Sequence, residues 1–181
     1  MRRHLFVALV LVALFASGAL AQAPKAKPAS APTAVIAFEK GDVTVEFWPG
    51  EAPNHVKNFL ELVRKGFYDS QRVHRVEPGF VVQFGDPQSK TLPMTDPRMG
   101  TGGPGYTIKG EFNKRPFDRG VLGMARTNDP DSAGSQVYIM LGPAHFLNGQ
   151  YTAFGKVTKG MDLVDKIKVG DRIKIIKVVD K

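Results

Sequence analysis

Residues 73–86 read VHRVEPGFVVQFGD, and this stretch carries the strongest local signal in the chain. Pro78 and Gly79 are strong turn formers, and the valines and phenylalanines on either side are typical of strands. We therefore predict two short strands, at residues 72–76 and 80–84, that are joined by a tight turn. The stretch favours β structure as the basis of the fold.

The segments around this hairpin extend the same pattern. Apolar residues spaced three and four positions apart after Pro53 predict one helix, and a second, short helix is predicted at residues 161–168. Eight or so strands and two helices predict a mostly β fold, a closed antiparallel β-barrel capped by two α-helices. Besides the two strands of the hairpin, strands are predicted at residues 34–38, 43–48, 120–125, 136–140, 153–157 and 172–179.

Length and composition limit the class of protein. The 181 residues fit one domain, and an apolar share of 43% with 23% charged residues excludes wholesale disorder and a polytopic membrane protein. The 19 Gly and 13 Pro indicate frequent turns. With no Cys, disulfide scaffolds, thiolate metal sites and cysteine nucleophiles are excluded.

The N-terminus has the pattern of an export signal. In residues 1–21, Arg2 and Arg3 precede an uncharged apolar run, and Ala19 and Ala21 place small side chains at the two positions that a signal peptidase reads. We expect cleavage after Ala21 and export, to the periplasm or the cell exterior, with no stable membrane insertion afterwards. Residues 22–33, rich in Ala, Pro and Lys, predict a flexible linker, and residues 34–181 the globular domain.

Several chemistries find no support in the sequence. His55, His74 and His145 are far apart and show no metal-binding spacing, and no GxSxG motif is present. The net charge of +8 comes from scattered basic residues rather than a patch, which argues against a nucleic-acid partner. We therefore expect no metal, no cofactor and no nucleic acid.

Four sequence blocks in order carry a specific resemblance. Together with GTGGPGYTIKGEF at residues 100–112, they resemble the cyclophilin family of peptidyl-prolyl cis/trans isomerases over residues 34–181. The resemblance implies an eight-stranded barrel closed by two helices, a groove on its outer face, and a monomer that binds proline-containing polypeptides. The blocks are VHRVEPGFVVQFGD at 73–86, GVLGMAR at 120–126, SAGSQVYI at 132–139 and FLNGQYTAFGKV at 146–157.

The chemistry of such an enzyme follows from the peptide bond. Amide resonance holds an Xaa-Pro bond planar with a barrier of about 20 kcal/mol. A catalyst needs a pocket for the proline ring and a donor for the prolyl nitrogen, whose lone pair is available only in the twisted state. The resemblance makes Arg75 the candidate donor, and its guanidinium suits the role since it stays charged and offers several rigid N–H groups.

The resemblance implies roles for eleven residues. Arg75 matches the catalytic arginine of the family, and Gln83 and Gln136 match glutamines that bond substrate backbone and position that arginine. The substrate-binding positions implied by the resemblance are Phe80, Val81, Ala125, Arg126, Tyr138, Phe146, Leu147 and Tyr151.

Four positions depart from the usual family pattern. Tyr138 stands where phenylalanine is common, Phe146 where many members have tryptophan, Tyr151 where histidine is frequent, and Phe84 where glycine is common. All four keep the pocket apolar or aromatic, so proline binding should survive, whereas we expect only weak binding of cyclosporin. The sequence therefore predicts an isomerase that speeds the folding of exported proteins. A non-catalytic module or chaperone that binds proline segments on the same barrel is the alternative.

Overall fold

The computed structural model describes residues 31–179, so the predicted signal peptide and residues 22–30 of the predicted linker lie outside the described residues. Two α-helices, α1 (Pro53–Arg64) and α2 (Met161–Val164), and two short 3₁₀ turns, at Pro87–Lys90 and His145–Leu147, accompany the strands. Within the described residues the strands are β1 (Thr33–Phe38), β2 (Gly41–Phe47), β3 (Arg75–Glu77), β4 (Val81–Phe84), β5 (Val121–Met124), β6 (Val137–Met140), β7 (Ala153–Lys159) and β8 (Ile173–Val179).

All eight strands form one antiparallel sheet that curves into a half-barrel, in the order β3-β4-β6-β5-β7-β2-β1-β8. The prediction of a fully closed barrel is wrong, because β3 and β8 share no ladder in the described part of the chain. Instead, the segments that precede these two strands meet at an isolated bridge between Arg72 and Arg172. The backbone of Val73 bonds to Asp171 and Gly170, but β3 then turns away with β4, and three residues are too few to continue the pairing.

Helix α1 covers one side of the half-barrel and forms where its apolar stripe predicts. Pro53 occupies the first turn, where a missing N–H costs nothing, and Val56 and Phe59 lie on the buried face. The helix N-terminus is capped from a distant loop, since the Glu111 carboxylate accepts the backbone N–H of Asn54 at 3.0 Å and of His55 at 2.9 Å.

Helix α2 is shorter than predicted. The sequence pattern predicted a helix over residues 161–168, whereas the observed helix ends at Val164. Beyond it, the N–H of Lys166 bonds to Leu163 and that of Ile167 bonds to Val164, which is the three-residue spacing of turns. Ile167 is nevertheless buried. The apolar spacing therefore predicted which residues are buried, but it overestimated the length of the helix.

The sheet separates two apolar clusters. Inside the half-barrel, the Phe59 ring packs within 5.2 Å of Phe47, 5.0 Å of Tyr68 and 5.8 Å of Phe154, measured between ring centroids. A smaller cluster on the outer face includes Tyr138 and forms the base of a groove. No helix in the described part of the chain is long and apolar enough to cross a membrane.

Candidate active site

A groove of about 250 Å³ lies on the outer face of the half-barrel, beside the β3–β4 hairpin. Gln136 lines an adjoining depression, and its side-chain oxygen accepts a hydrogen bond from Gln83, which lines the groove. The structure thus brings all the predicted site residues together at one place, although they are scattered over more than seventy positions of the chain. The groove itself is lined by Arg75, Phe80, Val81, Gln83, Ala125, Arg126, Tyr138, Phe146, Leu147 and Tyr151.

The β3–β4 hairpin positions the arginine. Arg75 pairs in register with Gln83 on β4, and Glu77 follows two residues later on the same face of β3. Arg75 Nη1 donates to Gln83 Oε1 at 3.0 Å, and its Nε and Nη2 donate to Glu77 Oε1 at 2.9 and 2.6 Å. The guanidinium carbon lies 5.8 Å from the centroid of the Phe80 ring, so the cation faces the aromatic side of the groove.

A chain of amide hydrogen bonds fixes the orientation of both glutamines. Gln83 Nε2 donates to Gln136 Oε1 at 2.9 Å, and Gln136 Nε2 donates to the carbonyls of Gly100 and Gly102, both at 2.8 Å. Since Arg75 can only donate, Gln83 must present its oxygen to it. The direction of every bond in the chain is thereby set, from the guanidinium to the loop at Gly100 and Gly102.

Sequence reasoning missed the support for that loop, which is Asp86. This carboxylate is fully buried and accepts the backbone N–H of Gly100 at 2.6 Å, of Gly102 at 3.2 Å and of Gln88 at 2.8 Å. A Cβ on Gly102 would lie 2.2 Å from the Asp86 carboxylate, so only glycine fits there. The glycine-rich run and an acid two residues after β4 are visible in the sequence, but nothing in the sequence shows that they meet.

The floor of the groove is aromatic and tightly packed. Tyr138 is 5% exposed and lies across Gly123, where an added Cβ would come within 2.2 Å of its ring. Phe80 and Phe146 stack 5.9 Å apart at one wall, and Phe146 is 68% exposed. Exposed aromatic surface beside a buried apolar floor is suited to a small apolar ring such as that of proline.

The hydroxyl of Tyr138 is a polar atom within this floor. Its oxygen is buried and has no hydrogen-bond partner among the described residues. Burial raises the pKa of Tyr138 far above the ordinary value of a phenol, so the hydroxyl stays protonated. It is a chemical difference from phenylalanine at this position, as the sequence indicated.

Arg126 forms the opposite rim. Its Nε and Nη2 donate to the carbonyl of Gln150 at 3.1 and 2.9 Å, and its guanidinium carbon lies 4.4 Å from the centroid of the Tyr151 ring. The side chain is therefore held against the protein rather than extended into solvent. A second cation thus borders the groove in addition to Arg75.

Next to Arg75 in the chain, His74 donates its backbone N–H to the carbonyl of Gln83 at 3.2 Å, but its imidazole ring is not hydrogen-bonded within the described part of the chain. Neither ring nitrogen has a partner among the described residues, and burial lowers the pKa of His74, with Asp86 opposing that shift. The ring is accordingly neutral at neutral pH. The site as a whole offers fixed donors, amides and an apolar floor, which suits binding and electrostatic stabilisation of a peptide.

Comparisons with known proteins agree with this geometry. A family model described as cyclophilin type peptidyl-prolyl cis-trans isomerase/CLD matches residues 33–179. A probable peptidyl-prolyl cis-trans isomerase of Brucella abortus is 45% identical over 171 residues, covering 93% of this chain and 86% of the relative. The peptidyl-prolyl cis-trans isomerase B of Bacillus subtilis is 41% identical over 149 residues, covering 81% of this chain and 97% of the relative.

A solved structure is similar as well. The crystal structure of a Cryptosporidium parvum cyclophilin type peptidyl-prolyl cis-trans isomerase in the presence of the dipeptide Ala-Pro has a TM-score of 0.72 and 28% identity, covering 82% of this chain and 99% of that chain. The similarity therefore extends over nearly the whole part of this chain that the structure describes.

Proposed function

The chain belongs to the cyclophilin-type peptidyl-prolyl cis-trans isomerases, and we propose that it accelerates Xaa-Pro rotation by donation from Arg75 to the prolyl nitrogen. One observation carries the proposal. The Arg75 guanidinium is fixed by Gln83 and Glu77 beside the aromatic wall of the groove, at 5.8 Å from the Phe80 ring.

A hydrogen-bond donor at the prolyl nitrogen is what the reaction needs. In the planar imide the nitrogen lone pair is delocalised, whereas in the twisted state it can accept a hydrogen bond. A donor held at that nitrogen therefore stabilises the transition state more than either planar isomer. No covalent bond is made or broken, so the chain needs only to bind, orient and donate.

The groove supplies the binding. The proline ring would rest on the floor that Tyr138 and Leu147 form, with Phe80 and Phe146 at its side. Gln83 Nε2 keeps one N–H beyond its bond to Gln136, and this group and the backbone near Ala125 are at hand for the peptide backbone. Because the amide network is already bonded within the protein, ligand binding needs little reorganisation.

The test measures cis/trans exchange of a peptide with an Ala-Pro bond by NMR, in the presence of wild-type protein and of the variant Arg75→Ala. We expect kcat/KM to fall about a hundredfold, as for the loss of one donor to a developing lone pair. Arg119→Ala is the matched control, because the Arg119 side chain has the same 44% exposure and forms an ion pair with Asp165 outside the groove. Its exchange rate should equal that of wild type.

Two results would contradict the proposal. Equal rates for Arg75→Ala and wild type would remove Arg75 from the mechanism. Peptide binding to the groove without any acceleration of exchange would instead favour the alternative, a module or chaperone that holds proline segments.

We also propose that the enzyme acts on exported proteins after cleavage behind Ala21. The basic start and short apolar run of residues 1–21 support this, and slow proline isomerisation limits the folding of many chains. N-terminal sequencing of the protein recovered from the periplasm or medium should begin at Gln22. A chain that retains Met1 and stays in the cytoplasm would contradict the role in export.

A further inference from the structure

Glu77 makes a contact with Arg75 that sequence reasoning did not single out. Its Oε1 accepts from Arg75 Nε at 2.9 Å and from Nη2 at 2.6 Å. We propose that Glu77 is a positioning residue that fixes the Arg75 guanidinium for hydrogen-bond donation to the prolyl nitrogen, a role that depends on the proposed function of Arg75.

The donor count of Arg75 shows what this contact leaves for the substrate. A guanidinium has five N–H groups. Glu77 takes one on Nε and one on Nη2, and Gln83 takes one on Nη1. One N–H remains on each terminal nitrogen, so the two anchors hold the group without exhausting its donors.

The anchor matters because the arginine is otherwise loosely held. Its side chain is 44% exposed, and a long side chain of this kind has many accessible rotamers. With Gln83 alone, the guanidinium could rotate about a single hydrogen bond. Glu77 engages a different edge of the same plane, so two acceptors define its orientation beside Phe80.

Arg75 and its acceptor Glu77 belong to the same strand, so no other part of the chain is needed to bring them together. Residues two apart on a strand lie on the same face, so Arg75 and Glu77 meet by virtue of β3 itself. The backbone of Glu77 is fixed separately, because its carbonyl accepts the N–H of Phe80 at 2.9 Å in the turn. Replacing the half-exposed Glu77 side chain should therefore leave the fold and the position of Phe80 intact.

The first experiment compares Glu77→Ala and Glu77→Gln with wild type in the peptide exchange assay. We expect kcat to fall about fivefold in Glu77→Ala and about twofold in Glu77→Gln, which keeps one acceptor oxygen, with KM nearly unchanged. Glu51→Gln is the matched control, since Glu51 Oε1 likewise accepts from Nε at 2.9 Å and from Nη2 of Arg115, away from the groove. It makes the same charge change and should leave kcat at the wild-type value.

The second experiment asks whether Glu77 acts through Arg75. In a double-mutant cycle, Glu77→Ala should have no further effect on the residual activity of Arg75→Ala. NMR relaxation of the Arg75 Nε–H should also show a rigid side chain in wild type and a mobile one in Glu77→Ala.

The outcomes separate the two proposals. The role of Glu77 would be overturned by a wild-type kcat in Glu77→Ala. It would also be overturned if Glu77→Ala lowered kcat by the same factor in wild type and in Arg75→Ala. The role of Arg75 would stand in both cases. A wild-type kcat in Arg75→Ala would instead overturn the proposed function, and the role of Glu77 with it.

Discussion

Phe59, inside the half-barrel, is fully buried among three aromatic rings, whereas Phe146, on the outer face, stacks on one ring and is 68% exposed. The two regions use the same kind of side chain for different purposes. Interior rings gain stability by losing all contact with water, while groove rings keep surface available for a ligand. Substitutions inside should therefore change the free energy of unfolding, and those in the groove should change catalysis.

The largest effect on stability is expected inside. Phe59→Ala should lower the free energy of unfolding by about 3–5 kcal/mol, because it removes a ring and leaves a cavity between Phe47, Tyr68 and Phe154. Urea denaturation measures the change, and kcat/KM per folded molecule should stay at the wild-type value.

The reciprocal variant is Phe146→Ala. Since Phe146 is mostly exposed, its removal should change the free energy of unfolding by no more than about 0.5 kcal/mol while kcat/KM falls several-fold. If both variants lost stability equally, the distinction between interior and groove would be wrong.

The second prediction concerns Gly123, a residue at which the interior and the groove meet. Gly123 lies on a buried strand, but an added Cβ would come within 2.2 Å of Tyr138 in the groove floor. Gly123→Ala should lower the free energy of unfolding by about 1–3 kcal/mol and raise KM, because the Tyr138 ring must move.

Gly50→Ala is the control for this variant, because nothing lies within 4 Å of a Cβ built there. It should change neither quantity. A Gly123→Ala protein with normal KM would mean that Tyr138 can shift without altering the groove.

The positions of the strands could be predicted from the sequence, but whether the sheet closes into a barrel could not. Local patterns identify a strand from its own residues, such as the valines around Pro78 and Gly79. Whether β3 and β8 pair depends on where each strand ends, and no local pattern states that Val73 rather than Arg75 contacts residues 170–171. The end of α2 at Val164 was missed for the same reason, since apolar spacing fits a turn as well as a helix.

For the site, the resemblance supplied residues and the structure supplied their partners. Arg75 and Gln83 could be named from the sequence, but the contact of Glu77 could not be ranked above ordinary surface charge without the β3 register. Asp86 was equally hidden, because its bonds to Gly100 and Gly102 cross a long loop. Long-range hydrogen bonds of this kind leave no periodic trace in sequence.

A third prediction concerns His55, one of the polar side chains that are buried in the structure. His55 is fully buried, its Nδ1 lies 2.7 Å from Glu111 Oε2, and burial lowers the pKa of His55 below the ordinary 6.5 despite that carboxylate. The unfolded chain therefore binds the proton more readily, so the free energy of unfolding should fall as the pH drops below about 6.5. His74, whose pKa burial also lowers, acts in the same direction.

Urea denaturation at about pH 7.5 and about pH 5.5 measures this dependence. His55→Gln should be less stable at the higher pH but lose less on acidification, because one of the titrating groups is gone. Glu111 does not interfere in this range: burial opposes the change, but hydrogen bonds from His55 and Asn54 lower the pKa of Glu111 below the ordinary 4.5. An unchanged pH dependence in His55→Gln would show that His55 is not the titrating group.

The smallest effect is expected at Tyr138, where the floor of the groove behaves like the interior. Its hydroxyl is buried and finds no hydrogen-bond partner in residues 31–179, and its ring is packed against Gly123. Tyr138→Phe therefore removes an uncompensated polar group and leaves no more than a very small cavity. The melting temperature should rise, in line with a gain of up to about 1 kcal/mol, and kcat/KM should stay within about twofold of wild type. A loss of stability would show that the hydroxyl is hydrogen-bonded in solution. A large loss of kcat/KM would show that the hydroxyl reaches the substrate, and Tyr138 would then belong functionally to the groove rather than to the interior.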